Sequence, residues 1–283
     1  MATCRIELIF IATYFFTHMW IRIYYSKSEI SIEKWRNCMN HQIKIYTWND
    51  WHSFSKAVDI CSIKLSIMYP QPFANSDETK YALLTMPHKE SVLITIGVGN
   101  DVNAELKFRK IQPMTKFYGA DPIPGYNQEL YSEIGEFFPL AIGNSTKESN
   151  ASVLLNGKYV QREFHHVHII DFIKNFVRQR YIDHLWLDAE GAEFGIYDMF
   201  HRNGNFDKEQ IVICQVNMET HSTNLHEIAL FNTFAEKIVS ESKYIFLKSI
   251  SGIRGALHIN RLFMVNVKNQ YCREKFENTF HLK

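Results

Sequence analysis

From Ser91 onward the chain alternates short apolar runs with amphipathic stretches, and this alternation limits what it can fold into. A strand buried on both faces reads as an unbroken apolar run, whereas a helix packed on one side repeats its apolar positions every three or four residues. The two in succession describe βαβ units and a mainly parallel sheet. Strands are expected over Val92–Val98, Phe117–Ala120, Phe138–Ile142, His184–Asp188, Ile211–Met218, Tyr244–Leu247 and Leu262–Val267. Helices are expected over Val102–Ile111, Gly125–Gly135, Ile170–Arg180, Ala192–Arg202 and His226–Ser240. The fold class is α/β, a seven-stranded sheet with helices on both faces. A chain of 283 residues, 46% of them hydrophobic, can bury such a core. Its 31 basic and 30 acidic residues leave no net field to draw it to nucleic acid or an anionic membrane. The partner has to be found from a site.

The residues before Ser91 have a different character. Leu8 to Ile21 (LIFIATYFFTHMWI) are nearly all apolar, with Arg5 before them and Arg22 and Lys27 after. The run is shorter than the roughly 20 residues of a spanning helix, but Ile6, Ile23, Tyr24 and Tyr25 extend it. No small-x-small cleavage pattern follows. Residues 1–25 are therefore expected to form an uncleaved single-pass anchor, with a buried core helix as the competing reading. Residues 26–90 are expected to form a stalk and small helical accessory region, with aromatics at Tyr46, Trp48, Trp51 and Phe54 and a break at Tyr69-Pro70-Gln71-Pro72. The five cysteines contain no CxxC pair, which argues against a cysteine zinc site. In a secretory lumen, Cys38 and Cys61 are a candidate disulfide, and the sequons at Asn144 and Asn150 are candidate glycan acceptors.

The first strand of the sheet runs into Gly97-Val98-Gly99-Asn100-Asp101, a glycine turn that opens a helix. Such a turn lets a ligand approach the backbone closely. A dinucleotide fingerprint requires a third glycine where this chain has Val102, which counts against NAD. The second strand ends in Gly119-Ala120-Asp121. An acid one βα unit after a glycine turn can accept hydrogen bonds from both hydroxyls of a ribose, so the set Gly97, Gly99 and Asp121 points to an adenosine ligand.

Further on, WLDAEGAEF places Asp188, Glu190, Gly191 and Glu193 at the carboxyl end of the His184–Asp188 strand, the edge where open α/β sheets bind ligands. Helix capping by Asp188, with Glu190 and Glu193 complementing the helix dipole, explains the same pattern structurally. Glu219 and His221 end the next strand on one face of it. Asp188, Glu190, Glu219 and His221 would suit magnesium or manganese, but groups of this kind more often hydrogen-bond substrate hydroxyls, and no metal is expected. In the run His165-His166-Val167-His168, only His166 and His168 share a strand face, which fits a half-exposed strand better than a ligand cluster.

Taken in order, ITIGVGND, GADPIP, FFPLAIGN, LWLDAEGAEF and QVNMETH resemble the FkbM-like methyltransferases, particularly their divergent animal branch, over roughly residues 91–250. The resemblance implies a Rossmann-like class I methyltransferase sheet with an antiparallel final hairpin and S-adenosylmethionine as cofactor. It also implies methyl transfer to an oxygen of a small molecule, sugar or glycan. Gly97, Gly99 and Asn100 would then line the methionine end of the cofactor. Asp121 would hold the ribose, and Ala141 or Ile142 would lie near the adenine.

A sulfonium methyl is already activated, so the protein has to align the acceptor and remove its proton. Asp188 is the first candidate for that base or for acceptor anchor, Glu190 the second, and His221 a rival oriented by a neighbouring acid. Glu193 fits a structural role. A catalytically inactive relative that uses the fold for binding is the alternative function. A nicotinamide oxidoreductase is disfavoured by Val102. The expected location is a membrane, with a lumenal domain in the secretory pathway as one orientation; Arg5 and the amino terminus on one side oppose Arg22 and Lys27 on the other, so the charges do not choose it.

Overall fold

The computed structural model describes residues 29–44, 51–65, 68–155, 158–254 and 257–276. The expected anchor over 1–25 lies outside the described residues, as do Tyr46 and Trp48. Among the described residues no helix is long and apolar enough to cross a membrane.

The chain begins with α1 (residues 29–44) and α2 (Trp51–Ser62), followed by a hairpin of β1 (Gln71–Ala74) and β2 (Thr79–Ala82). The βαβ body follows with β3 (Ser91–Ile96), α3 (Asn103–Ile111), β4 (Thr115–Ala120), α4 (Tyr126–Ser132) and β5 (Glu136–Phe138). Next come three strands of a separate small sheet, β6 (Ala141–Gly143), β7 (Lys147–Leu155) and β8 (Lys158–His168). α5 (Ile169–Asp171) leads into a π-helix over Phe172–Val177, which ends at Arg178 in the left-handed region, φ 56°. The remainder is β9 (Tyr181–Leu187), a 3₁₀ turn over Ala192–Gly195, α6 (Tyr197–Phe200), α7 (Asn205–Lys208), β10 (Val212–Ser222), α8 (Leu225–Glu241), β11 (Tyr244–Arg254), β12 (Leu257–Asn266) and α9 (Gln270–Lys275).

Seven strands form the main sheet in the order β11-β12-β10-β9-β3-β4-β5. β5, β4, β3, β9 and β10 are parallel, and β12 is antiparallel to both β10 and β11. β3 lies near the centre with all six residues buried, as a strand covered on both faces must be. Leu93, Phe117 and Trp186 face a core shared with Phe73 and Phe108. Ile94, Ile96, Leu185 and Leu187 face the opposite core, where α8 and the N-terminal helices pack. α8 is held at its start by a reciprocal cap: the Asn224 side chain accepts from the Glu227 amide at 3.0 Å, and the Glu227 carboxylate accepts from the Thr223 amide at 2.7 Å.

The region expected to be an accessory stalk packs on this body wherever it is described. Trp51 and Phe54 meet Phe231 of α8 at ring separations of 5.1 and 5.0 Å, and Phe54 meets Phe246 of β11 at 5.2 Å. Cys38 and Cys61 form the anticipated disulfide, joining α1 to α2. A second disulfide, Cys214–Cys272, ties β10 to α9. β2 and the residue that follows it are held to β10 by side-chain amides. Asn217 accepts from the Tyr81 amide and donates to its carbonyl at 2.7 and 2.8 Å, and Gln215 does the same for Leu83 at 2.7 and 2.9 Å.

Three expected elements differ. Phe138–Ile142 is divided between sheets, because Pro139 cannot donate to a ladder: β5 joins the main sheet and β6 pairs with β8. Ala192–Arg202 is a 3₁₀ turn followed by one short helix. Gly195 there lies so close to Asn144 that a Cβ would stand 2.4 Å from its Nδ2. Ile170–Arg180 is partly π-helical and stops at Val177. The predicted half-exposed strand at His165–His168 is the end of β8.

Candidate active site

The cleft opens at the carboxyl ends of β3, β4 and β9, where a parallel sheet exposes unpaired backbone groups. Gly97 and Gly99 both have positive φ, 84° and 62°, as does Asn100 at 61°. Gly97 is required sterically as well, since a Cβ on it would lie 1.9 Å from the Asp188 carbonyl oxygen. The end of β9 thus runs directly against the turn, and the Asp188 amide donates to the Ile96 carbonyl at 2.8 Å. Around Gly99, by contrast, a Cβ would meet nothing within 4 Å. The turn leaves an open cradle on the cleft side.

Asp121 fixes the shape of that turn. Its Oδ2 accepts from the amides of Val98 and Gly99 at 3.0 and 3.3 Å, and its Oδ1 accepts from Ile123 at 2.9 Å. Burial raises its pKa, against the lowering effect of these amides. Asn127 of α4 braces the next residue by accepting from the Asn100 amide at 2.7 Å. Ala141 lies in the opposite wall with Leu140 and Ile142. Gly97, Gly99, Asn100, Asp121, Ala141, Asp188 and Glu190 all line this one cleft.

His221 does not line it. It sits behind the acids with its side chain 7% exposed, Nε2 being 3.8 Å from Asp188, 3.7 Å from Glu190 and 3.3 Å from Glu219. Burial disfavours the imidazolium, but the carboxylates of Glu193 and Glu219 outweigh it and push the pKa up to about 11. A ring held charged at neutral pH cannot accept a proton, which weakens the assignment of His221 as base. Asp188 is raised well above the ordinary carboxyl range, first by burial and then by the charge of Glu219, with His221 and Lys80 opposing. Glu219 goes the other way, to about 2: burial would raise it, but hydrogen bonding by His221 and Arg261 prevails. Glu193 is structural, its two oxygens accepting from the amides of Ala189 and Gly191 at 2.6 and 2.8 Å. That brace holds Glu190 at φ 49° in the turn above it.

Several site groups were not anticipated. Glu78 and Lys80, from the β1–β2 hairpin, reach the cleft and pair at 2.6 Å. Arg261 stands opposite Glu219 in the antiparallel ladder and binds it at 2.7 and 3.1 Å. Glu105 of α3 is buried beneath the turn, and His166 of β8 closes one side. Among the described residues that line the cleft, Lys80 is the sole lysine or arginine.

A sheet in this order, with one antiparallel strand inserted next to the last and a glycine turn after its first parallel strand, is that of a class I, S-adenosylmethionine-dependent methyltransferase fold. The sequence pattern described as "Methyltransferase FkbM domain" matches residues 37–246, and the chain belongs to that family. It is 21% identical over 260 residues to a Caenorhabditis elegans protein titled "Uncharacterized protein C28H8.7", covering 89% of this chain and 82% of that one. Among solved structures, TrmN from Thermus thermophilus aligns with a TM-score of 0.35 and 11% identity over 63% of this chain; the aligned part spans 45% of TrmN, under half its length. TrmK of M. capricolum, in complex with S-adenosyl-homocysteine, aligns with a TM-score of 0.33 and 15% identity over 64% of each chain.

Proposed function

We propose that the protein is an active S-adenosylmethionine-dependent O-methyltransferase whose acceptor is a hydroxyl of a small molecule, sugar or glycan. The observation that carries this reading is the chemistry of the cleft. Asp101, Asp121, Asp188 and Glu190 line it, and the one lysine among its described lining residues is already paired with Glu78. A pyrophosphate would meet like charge there, whereas a ligand with an ammonium and a sulfonium meets opposite charge. The glycine cradle and Asp121 suit a nucleoside: Oδ2 of Asp121 is taken by two backbone amides, but Oδ1 accepts from one and retains acceptor capacity for a ribose hydroxyl. S-Adenosylmethionine, when bound, supplies an electrophilic methyl on sulfur.

The chain's own part is to place and deprotonate the acceptor. Asp188 stands at the mouth of the cleft with its side chain 28% exposed, so it can reach an incoming hydroxyl. A carboxylate whose pKa is raised above the ordinary range is a stronger base than an ordinary one, which favours Asp188 as the group that accepts the acceptor proton. Glu190 lies beside it and can take a second hydroxyl of the same substrate. His221 holds the two acids by charge from behind. Asp188→Asn should leave S-adenosylmethionine affinity within about twofold while cutting turnover by on the order of 10²–10⁴. Assaying transfer from labelled cofactor to a panel of polyols and glycans would test this, and undiminished turnover in the variant would remove Asp188 from the chemistry.

For location, we propose a lumenal domain. The two disulfides and the exposed positions of Asn144 and Asn150 support it. Protein made in animal cells should then lose mass on endoglycosidase treatment, and an unchanged mobility would count against a lumenal domain.

A further inference from the structure

Five acids gather in and behind the cleft. Glu78, Asp188, Glu190, Glu193 and Glu219 converge on a region whose permanent cations are Lys80 and Arg261. Those two cations are not evenly shared: Lys80 lies against Glu78, and Arg261 against Glu219. The side formed by Asp188 and Glu190 has His221 as its close basic neighbour.

His221 is the second observation. Its side chain is 7% exposed, its Nδ1 is buried with no hydrogen-bond partner, and its Nε2 is directed among the carboxylates at 3.3–3.8 Å. Asp188 Oδ1, the atom facing it, is likewise buried without a hydrogen-bond partner. One ligand atom each from Asp188, Glu190 and His221 lie within 4.8 Å of one another. With metal–ligand bonds of roughly 2.1 Å, octahedral neighbours stand about 3 Å apart and opposite ligands about 4.2 Å. The observed separations of 3.7 and 3.8 Å exceed the adjacent-ligand distance by less than about 1 Å, a gap that side-chain rotation can close on a bound ion. Behind the ring, Glu193 Oε1 stands 3.7 Å from Nδ1, fixed by the Ala189 amide, so a small approach of the ring would let that carboxylate accept from Nδ1 and leave Nε2 as the ligand atom.

We propose that Asp188, Glu190 and His221 Nε2 form a divalent-cation site at the acceptor end of the cleft, selective for a manganese-like ion that accepts mixed oxygen and nitrogen ligands. One imidazole with two carboxylates suits manganese better than calcium, which prefers oxygen alone. Ligation through Nε2 needs the neutral ring, so the bound cation replaces the proton that His221 carries in its absence. This departs from the expectation of no metal. The alternative grouping, Glu78, Asp188 and Glu219, is already occupied by the Lys80 and Arg261 side chains. The three ligands leave coordination positions facing the cleft, where vicinal hydroxyls of the acceptor would bind and be oriented. That use rests on the methyl-transfer reading, whereas the binding site itself does not.

The test is titration of the full chain with MnCl₂, following the free-ion signal by electron paramagnetic resonance. One saturable ion per chain is expected, with at least tenfold weaker binding in each of Asp188→Asn, His221→Gln and Glu190→Gln. Glu190 lies in a partly exposed turn, so its variant serves if either of the others fails to fold. Absence of saturable binding in the native protein, or equal binding in a correctly folded Glu190→Gln, overturns the site. S-Adenosylmethionine calorimetry on the same samples separates the two ideas: manganese without cofactor binding keeps the site and removes the transfer reading, and cofactor without manganese does the reverse.

Discussion

Glu105 offers a direct check on the electrostatics of the cleft. It sits in the first turn of α3, 2% exposed, with Oε1 accepting from Thr95 Oγ1 at 2.8 Å and Oε2 buried without a partner. Burial raises its pKa from the ordinary 4.5 to about 7, the Thr95 hydrogen bond opposing. The sign follows from proton counts. Between these two values the unfolded chain has lost the Glu105 proton and the native protein keeps it, so stability falls as pH rises. The contribution is fully present below about pH 4.5 and gone once the pH has passed through about 7. At 1.36 kcal/mol per pH unit of difference, it amounts to about 3 kcal/mol. Glu105→Gln keeps the shape and the acceptor for Thr95 but cannot ionise. Urea unfolding of both proteins at pH 4.5 and pH 8 should show native stability falling relative to the variant by roughly 3 kcal/mol over that interval. A change in the variant's absolute stability cannot reproduce the pH dependence, because the amide does not ionise. A difference between the two proteins that is the same at both pH values would refute the reasoning.

The glycine turn makes a contrast within two residues. Gly97→Ala meets the Asp188 carbonyl oxygen at 1.9 Å in addition to the cost of φ 84°, and should destabilise the protein by more than about 3 kcal/mol or prevent folding. Gly99→Ala meets nothing within 4 Å and should cost only the roughly 1–2 kcal/mol of the left-handed backbone; thermal melts giving equal losses would show that the end of β9 does not press on the turn.

The parallel centre of the sheet was legible because burial on both faces leaves β3 and β9 almost wholly apolar, and the cleft acids because they follow directly on those strands. The β7–β8 ribbon escaped notice: its residues are mostly polar, as in Lys147-Glu148-Ser149-Asn150 and Gln161-Arg162-Glu163, so no alternating apolar face marks it. Glu78 and Lys80 were hidden for another reason. They reach the site because Gln215 and Asn217 hold the backbone just beyond them, more than 130 positions away in sequence. The pairing of Arg261 with Glu219 depends on the antiparallel register of β12, and Cys214–Cys272 on where α9 docks; neither spacing announces its partner. The charge state of His221 was not legible, because its burial among carboxylates, which holds it charged, is a tertiary property.

The central claim is that an acidic cleft built on Gly97, Gly99 and Asp121 takes a cationic adenosine ligand. Calorimetry of the full chain with S-adenosylmethionine and NAD side by side tests it most directly. Saturable heat is predicted with S-adenosylmethionine and none with NAD, and Asp121→Ala should weaken the former by at least about tenfold through loss of charge-assisted hydrogen bonds. Binding of NAD by a folded protein that gives no heat with S-adenosylmethionine would contradict it.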